Sequence, residues 1–263
     1  MHPLSPAVEA LMRRVAADVV LPRYQQLAAH EIEEKAPGEL VTVVDRESEA
    51  RLSEGLLSIM AARLLGEEAV AADPILMNDI ASGAAWIIDP IDGTANFAAG
   101  RAPFAIMIAL TVDGVAEAGW ILDPLTGRLC HAARGRGAFI DGARVTARPT
   151  GAPQLVAGIS TLFLDPETRD RFLGNAQGKM ICADIPRCAG EQYPKIVLGE
   201  HDLALYERTL PWDHVPGALF LEEAGGKVAR SDGRDYVFHD GSTSLLVAAN
   251  TAIWDAAAEI LFV

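Results

Sequence analysis

Apolar residues recur with two different periods along this chain, and the change of period separates helical from strand-like segments. Spacing of three and four residues covers about residues 6–26 and 46–65, which predicts two helices, the first with a kink at Pro22. From Trp86 to Val145, shorter apolar runs predict mainly β-strands. The first half of the chain is therefore expected to place helices before a group of strands.

Two Asp-Gly pairs within the strand-rich segment are typical of hairpin turns, because both residues tolerate the backbone conformations of a two-residue loop. The pairs are Asp113-Gly114, between residues 104–112 and 115–122, and Asp141-Gly142, between residues 138–140 and 143–145. We therefore expect two antiparallel strand pairs here.

After Pro149 the pattern mixes strand and helix, and a loop-like stretch is expected from Pro186 to Pro194. Because strands are grouped apart from helices, the pattern favours α+β layers over a doubly wound parallel sheet. The length of 263 residues permits one or two domains.

Two aspartates, Asp89 and Asp92, stand close together after a strongly apolar run and are followed directly by Gly93 and Thr94. Two carboxylates about 4 Å apart repel by roughly 4 kcal/mol at an effective dielectric of about 20, so they diverge into solvent or share a cation. Gly93 and Thr94 begin a segment typical of a helix start, where free backbone N–H groups favour phosphate. The spacing favours a metal site beside an anion site, with a simple Asp-Gly hairpin turn as the alternative.

Two further acidic segments can complete such a site. Asp213 stands at the entrance of a run with helical spacing, where the helix dipole alone also favours an acidic residue. Glu67 belongs to a Gly-Glu-Glu sequence whose simpler interpretation is a solvated charge pair that closes the preceding helix. Neither segment by itself decides between a structural and a metal-binding role.

Four segments in this order and at this separation resemble the inositol monophosphatase family of metal-dependent, lithium-sensitive phosphatases. They are KAPGELVTVVDRESE at residues 35–49, GEE at 66–68, WIIDPIDGTANF at 86–97 and WDHVPGALFLEEAGG at 212–226. The resemblance covers nearly the whole chain. It implies a layered αβαβα sandwich with an N-terminal half at residues 1–148 and a C-terminal half at 149–263, the active site between the halves, and a homodimer.

The resemblance also implies a set of ligands for two or three Mg²⁺ ions, with Mn²⁺ as a substitute. Glu67, Asp89 and the backbone carbonyl of Ile91 would hold one ion. Asp89, Asp92 and Asp213 would hold a second, and a weaker third ion would lie near Glu67. Oxygen donors of this kind suit magnesium, which takes a few carboxylates together with water and substrate phosphate.

The catalytic roles implied by the resemblance belong to Glu67, Thr94 and Asp45. The backbone N–H groups of Gly93 and Thr94 would hold phosphate oxygens. The Thr94 hydroxyl, oriented by Asp45, would help Glu67 to position a metal-activated water for direct in-line attack. Proton transfer by side chains typically contributes about 10²- to 10⁴-fold, far below the roughly 10²¹-fold that phosphomonoester hydrolysis can require, so paired metal ions are expected.

The part of the pocket that faces the alcohol departs from the inositol-specific pattern. Glu191 and Gln192 stand where family members generally carry small residues, and Glu207, which resembles the family's substrate-binding glutamate, is one residue closer to Asp213 than usual. Asp92, Glu191, Gln192 and Glu207 are the candidate substrate-binding residues. A surface charge or an ion pair to Arg187 is the alternative for Glu191, and a packed loop is the alternative for Gln192.

Composition excludes several classes of protein. With 22 basic and 36 acidic residues the net charge is −14, which argues against a nucleic-acid partner that depends on phosphate neutralisation. The three cysteines, Cys130, Cys182 and Cys188, form no Cys-x-x-Cys pair and are expected to be reduced thiols. The N-terminus lacks an apolar signal core, and the longest apolar run, residues 104–110, is too short to span a bilayer, so a cytoplasmic location without a membrane partner is expected.

Three functions are consistent with these features. The first is Mg²⁺-dependent hydrolysis of a small phosphorylated metabolite, such as an inositol phosphate or a related polyol, sugar or histidinol phosphate. The second is hydrolysis of a 3′-phosphonucleotide or dinucleotide on the same scaffold. The third is a noncatalytic interaction protein that retains the fold, and the complete ligand set disfavours it.

Overall fold

A computed structural model describes residues 1–36 and 38–262 of the chain. Pro37, within the segment 35–49, and Val263, the last residue of the expected C-terminal half, lie outside the described residues. The helices are α1 (Ser5–Val15), α2 (Leu21–Arg23), α3 (Val43–Ile59), α4 (Glu67–Ala72), α5 (Thr94–Ala98), α6 (Pro166–Ala176), α7 (Ala189–Val197), α8 (Pro211–Glu223) and α9 (Thr251–Leu261). A π-helical turn at Ala16–Val20 joins α1 to α2, and 3₁₀ turns occupy Ala29–Glu31 and Pro74–Met77.

The strands form three sheets. They are β1 (Ile32–Ala36), β2 (Glu39–Thr42), β3 (Arg63–Gly66), β4 (Ala84–Asp92), β5 (Ala105–Val112), β6 (Val115–Leu122), β7 (Leu129–Ala133), β8 (Gly137–Ile140), β9 (Ala143–Val145), β10 (Leu155–Ile159), β11 (Met180–Cys182), β12 (Leu203–Tyr206), β13 (Lys227–Ala229) and β14 (Leu245–Ala248). The first sheet runs β3-β4-β5-β6-β7-β8-β9, the second β11-β10-β12-β14-β13, and β1 pairs with β2 alone.

Both expected hairpins are confirmed. β5 pairs with β6 across Asp113-Gly114, and β8 pairs with β9 across Asp141-Gly142, each in antiparallel register. Asp113 and Asp141 both have a φ of 48°, and the glycines that follow are also left-handed. The turn residues thus adopt the conformations for which Asp-Gly pairs are selected.

The two main sheets and the helices stack as five layers, which confirms the αβαβα sandwich. Alternate residues of β5 show how the layers arise: Ile106 and Ile108 face a core formed with α1 and α3, whereas Met107 faces a core formed with α7 and α8. The second sheet covers the far side of α7 and α8, and its outer face packs against α6 and α9. Gly119 lets α8 approach β6, because a Cβ there would lie 2.9 Å from the Pro216 carbonyl oxygen.

Helix α3 ends earlier than the periodicity predicts. It stops at Ile59, and residues 63–66 form strand β3, which pairs in parallel with β4 and brings Leu64 opposite Trp86. An apolar run of this length fits a buried strand as well as a helix, so periodicity alone does not separate them. Glu67 consequently begins a new helix and does not close the old one. The first helix likewise ends at Arg23, not at Gln26, and its deviation from α geometry is the π turn that precedes Pro22.

The loop expected from Pro186 to Pro194 is wrong over its second part. Residues 189–197 form α7, with Pro194 inside the helix. Proline in a helix interior costs about 3 kcal/mol. Burial of Tyr193, Ile196 and Val197 between the two sheets offsets that cost.

The strands of the first sheet all lie between residues 63 and 145, and those of the second lie between 155 and 248. Helix α8 nevertheless packs on the first sheet, so the two parts of the chain share a core. The division into halves at residue 148 stays a prediction. In the described chain, no helix has both the length and the apolar content for a membrane crossing. Cys130, Cys182 and Cys188 are free thiols.

Candidate active site

Parallel pairing of β3 with β4 brings the first two acidic groups together. Gly66 lies opposite Ile88, so Glu67 and Asp89 follow at the same edge of the sheet. The pairing of β4 with β5 is irregular between Asp89 and Asp92, which turns this end of the strand out of the regular ladder. Asp89 is only 1 % exposed and Asp92 9 %.

The first turn of α8 adds the third acidic group. One carboxylate oxygen from each of Glu67, Asp89 and Asp213 lies within 4.8 Å of the other two. The three residues come from different elements, and the first and last of them, Glu67 and Asp213, are more than 140 positions apart in the sequence. The structure therefore assembles the acidic cluster that the sequence only indicated.

Asp92 faces the same cavity but is held by α7. Its Oδ2 accepts a hydrogen bond from the Gly190 backbone N–H at 2.6 Å. Ile91 is tied to the same turn, because its N–H donates to Asp89 Oδ1 at 3.1 Å and its carbonyl accepts from the Thr94 hydroxyl at 2.9 Å. The expected ligands on β4 are thus fixed by backbone contacts.

The Thr94 hydroxyl is also close to Asp45. Thr94 Oγ1 is 3.0 Å from Asp45 Oδ1, and the other oxygen of Asp45 accepts from the Thr42 N–H at 2.8 Å, which caps helix α3. Burial raises the pKa of Asp45 to about 7, although the hydrogen bonds from Thr42 oppose the rise. Asp45 is fully buried, and its contact with the Thr94 hydroxyl restrains the Thr94 side chain.

Gly93 stands at the start of α5 with a φ of 88°, a left-handed conformation that favours glycine. A side chain there would also be crowded, because a Cβ would lie 3.1 Å from the Pro103 carbonyl oxygen and 3.2 Å from Cys188 Cβ. Gly93 and Thr94 both line the cavity that contains the acidic cluster. The structure therefore brings the predicted phosphate-binding backbone beside the predicted metal ligands.

The pKa values of the acidic cluster reflect its burial. Burial raises the pKa of Asp89, and the nearby charges of Glu67, Asp92 and Asp213 raise it further. The pKa of Asp213 rises for the same reasons. Burial also raises the pKa of Glu67, whereas the ammonium of Lys35 opposes that rise.

Lys35 and Glu49 contact the Glu67 segment, and neither has a role predicted from the sequence. Lys35 Nζ lies 2.5 Å from Glu67 Oε1 and 2.8 Å from Glu68 Oε1. Burial alone would lower the pKa of Lys35, but these carboxylates raise it. Glu49 follows Asp45 by one helical turn, a spacing that could have indicated its position, whereas nothing local to Lys35 indicates its partners.

The donor set fits magnesium. The cluster offers carboxylate oxygens whose pKa values are raised first by burial and then by mutual repulsion, so a divalent cation would relieve the repulsion that the fold imposes. Oxygen ligands without nitrogen or sulfur are those that hard cations prefer.

The structure places some of the candidate substrate-binding residues in the cavity and one of them outside it. Glu207 and Gln192 line the cavity, and burial raises the pKa of Glu207. Gln192 is 2 % exposed; its Nε2 lies 2.7 Å from His201 Nδ1, and its Oε1 has no hydrogen-bond partner among the described residues. Glu191 is not brought to the cavity, because it forms an ion pair with Arg128, not with Arg187.

Comparison with known proteins identifies the family to which the chain is similar. The model of the inositol monophosphatase family matches residues 1–261. The chain is 30% identical to the Nus factor SuhB of Escherichia coli, over 96% of this chain and 93% of that protein. It is 28% identical to an inositol-1-monophosphatase of Bacillus subtilis, over 82% and 81%. The structure of inositol monophosphatase II from Staphylococcus aureus matches with a TM-score of 0.82 and 25% identity, over 99% of this chain and 94% of that one.

Proposed function

The chain belongs to the inositol monophosphatase family, and we therefore propose that it is a Mg²⁺-dependent phosphatase that hydrolyses a small phosphomonoester. The observation that carries this proposal is the convergence of Glu67, Asp89 and Asp213 within 4.8 Å, in the cavity that Gly93 and Thr94 line. Cation ligands beside free backbone N–H groups suit a phosphate that is bound and polarised at once.

Within this proposal the acidic residues hold the ions. Glu67, Asp89 and the Ile91 carbonyl would ligate one Mg²⁺, and Asp89, Asp92 and Asp213 a second, with a third near Glu67. Bound Mg²⁺ would supply charge neutralisation on the phosphoryl group and would lower the pKa of a coordinated water. Mn²⁺ would substitute because it accepts the same oxygen donors.

The protein's own groups position the reacting atoms. The backbone N–H groups of Gly93 and Thr94 would donate to phosphate oxygens. With the Ile91 carbonyl as a metal ligand, the Thr94 hydroxyl would donate its hydrogen bond to ionised Asp45, 3.0 Å away, and the Thr94 oxygen would be free to accept one from the attacking water. Glu67 would accept the other hydrogen of that water and align it for in-line attack.

The alcohol portion of the substrate would lie against the remaining lining of the cavity. Glu207 would accept hydrogen bonds from it, Asp92 would contact it from the metal side, and Gln192, which is buried, would shape the lining behind it. Glu191 would act only through its ion pair with Arg128. A nucleotide phosphatase on the same scaffold would differ in these residues and not in the metal ligands.

A second function, that of an interaction protein, is favoured by one observation: relatives with 30% identity carry the name Nus factor SuhB. The absence of a nucleic-acid partner thus stays a prediction from the net charge. A homodimer, a cytoplasmic location and inhibition by lithium also stay predictions.

Release of inorganic phosphate from a panel of phosphorylated metabolites tests the proposal. The panel comprises inositol 1-phosphate, a sugar phosphate, histidinol phosphate and adenosine 3′-monophosphate, each assayed with Mg²⁺, with Mg²⁺ plus lithium, and with EDTA. We expect turnover of at least one substrate with Mg²⁺ and none with EDTA. Absence of turnover on the whole panel, together with binding to a protein partner, would favour the second function.

A further inference from the structure

A partly buried ion pair joins helix α7 to the first sheet. Arg128, the residue before β7, contacts Glu191 in the first turn of α7, and the two side chains are only 22% and 17% exposed. Fully exposed ion pairs contribute little to stability, whereas a pair partly shielded from water is screened less by salt. We call Arg128 and Glu191 the α7 ion pair. Neither residue lines the cavity that holds the acidic cluster.

The backbone of Arg128 is itself fixed by the turn between β6 and β7. Its carbonyl accepts a hydrogen bond from the Asp123 N–H at 3.0 Å, and its N–H donates to Thr126 Oγ1 at 3.3 Å. The α7 ion pair therefore ties the first turn of α7 to a hydrogen-bonded turn of the first sheet.

The backbone N–H next to Glu191 holds the Asp92 carboxylate. Gly190 donates to Asp92 Oδ2 at 2.6 Å, and a Cβ on Gly190 would lie 2.6 Å from the Ala105 Cβ, so the helix begins in close contact with the sheet. Burial raises the pKa of Asp92, and the Gly190 N–H opposes that rise. The position of this helix turn thus affects both the direction of the Asp92 carboxylate and the ease with which it ionises.

The residues just before α7 pack against the turn that is proposed to bind phosphate. Asn96 Nδ2 donates to the Pro186 carbonyl at 2.9 Å, and a Cβ on Gly93 would lie 3.2 Å from the Cys188 Cβ. A displacement of the start of α7 would therefore reach Asp92 and Gly93 together.

The first turn of α7 is weak as a helix and needs an external support. Pro194 has no N–H, so the Gly190 carbonyl cannot receive the hydrogen bond that residue 194 would normally donate. Gly190 also has a low helix propensity. Within the described residues, no side chain of the N-cap residue Cys188 bonds to the helix. The side chain of Glu191, held by Arg128, supplies a contact that the helix backbone lacks.

We propose that Arg128, acting through Glu191, is a positioning residue for the metal site, because the α7 ion pair holds the helix turn whose N–H fixes Asp92. The inference rests on the proposed phosphatase function and extends it to a residue outside the cavity. Glu191 thereby acts on metal binding at Asp92 and has no contact with the substrate.

A double-mutant cycle of Arg128→Gln and Glu191→Gln tests this role. Binding of Mn²⁺ is measured from the EPR signal of the free ion, so the readout does not require turnover. Each single variant should raise the dissociation constant of a bound Mn²⁺ by about fivefold, below the effect of a group in direct contact with a metal ligand. The double variant should lose no more than about twofold beyond the larger single loss, because the two side chains act as one contact.

Arg134→Gln is the matched control, since Arg134 belongs to the turn after β7 and its 3.8 Å ion pair with Glu117 is exposed. It should leave the Mn²⁺ dissociation constant unchanged. Circular dichroism and thermal denaturation report folding. If Arg128→Gln does not fold, Glu191→Gln alone decides, through weakened or unchanged Mn²⁺ binding.

The substrate dependence of phosphate release separates positioning from substrate contact. At saturating Mg²⁺, KM for the best substrate of the panel should change by less than about twofold in Glu191→Gln. A raised KM with unchanged Mn²⁺ binding would mean that Glu191 contacts the substrate, and this result would overturn the inference. Losses that multiply in the double variant would overturn it as well. Absence of phosphate release by a wild type that binds Mn²⁺ would instead overturn the proposed phosphatase function, while the binding data would still test the α7 ion pair.

Discussion

Glu49 holds the backbone that carries Glu67. Its two carboxylate oxygens accept hydrogen bonds from the N–H groups of Glu68 and Ala69, each at 2.8 Å, and so cap the helix that begins at Glu67. Gly66 makes room for this contact, because a Cβ there would lie 2.2 Å from the Glu49 carboxyl carbon. Burial raises the pKa of Glu49 to about 7, while the two N–H groups oppose the rise.

We expect Glu49→Gln to weaken the apparent affinity for Mg²⁺ and to lower kcat by about 10- to 100-fold, the range typical of groups that orient metal ligands. The NH2 group of an amide would replace one of the two acceptor oxygens and face a backbone N–H as a second donor, so Glu67 would lose its fixed orientation. Titration of phosphatase activity with Mg²⁺ measures the change. Glu47→Gln, an exposed glutamate of the same helix, is the control. Unchanged magnesium dependence in Glu49→Gln would refute the positioning role.

The ligand assignment predicts that Asp213→Asn lowers turnover by more than about 100-fold, beyond the range of outer-shell changes, with the fold intact. The amide removes one negative ligand from the cluster. Initial rates of phosphate release, with circular dichroism as the test of folding, measure the effect. Asp255→Asn is the control, because Asp255 is an exposed acid that pairs with Lys227. Activity near that of the wild type would remove Asp213 from the ligand set.

The same substitution should stabilise the metal-free protein at high pH. The pKa of Asp213 is raised in the folded state, first by burial and then by Glu67. A carboxyl group with a raised folded pKa contributes stability that is present below its unfolded pKa and is lost as the pH rises through the folded value. We therefore expect Asp213→Asn to be more stable than the wild type at pH 8 in EDTA, with a smaller difference at pH 5.

Urea denaturation at the two pH values measures this difference, and added Mg²⁺ should reverse it. A ligand at 100 times its dissociation constant stabilises the folded state by about 2.7 kcal/mol, and the wild type should gain more of this than the variant. An equal gain in both proteins would mean that Asp213 does not contact the ion.

Some of this architecture is readable from the sequence, and the reasons differ from element to element. The Asp-Gly turns at 113 and 141 need only local backbone preferences, so their hairpins are predicted correctly. Strand β3 is missed because a run of four residues after a helix is too short to show a period of its own. Helix α7 is missed because Pro194 opposes it locally, and only burial between two sheets outweighs that preference.

In the candidate site too, local sequence features are predictable and contacts between distant segments are not. The aspartates of β4 are three positions apart in the sequence and can be recognised from it, whereas contacts such as Lys35 with Glu67 and Arg208 with Phe163 depend on the packing of distant segments. Glu191 illustrates the opposite error. Its position next to the pocket sequence favours a substrate contact, but the helix turns its side chain towards Arg128.

Thr94 provides a separate test of the catalytic arrangement. We expect Thr94→Val to lower kcat by about 10²-fold or more, because the hydroxyl that joins Asp45 to the attacking water is lost. Thr94→Ser retains the hydroxyl and should keep most of the activity. Single-turnover rates at saturating Mg²⁺ separate this effect from metal binding. Similar rates in the valine and serine variants would show that the hydroxyl has no part in the chemistry.

The convergence of Glu67, Asp89 and Asp213 on a divalent cation is tested most directly by anomalous diffraction from a crystal soaked in Mn²⁺. We expect at least one anomalous peak at about 2.2 Å from carboxylate oxygens of these residues. The Asp213→Asn crystal should show a weaker peak or none. A soaked wild-type crystal with no anomalous peak among these oxygens would contradict the metal site and the function that rests on it.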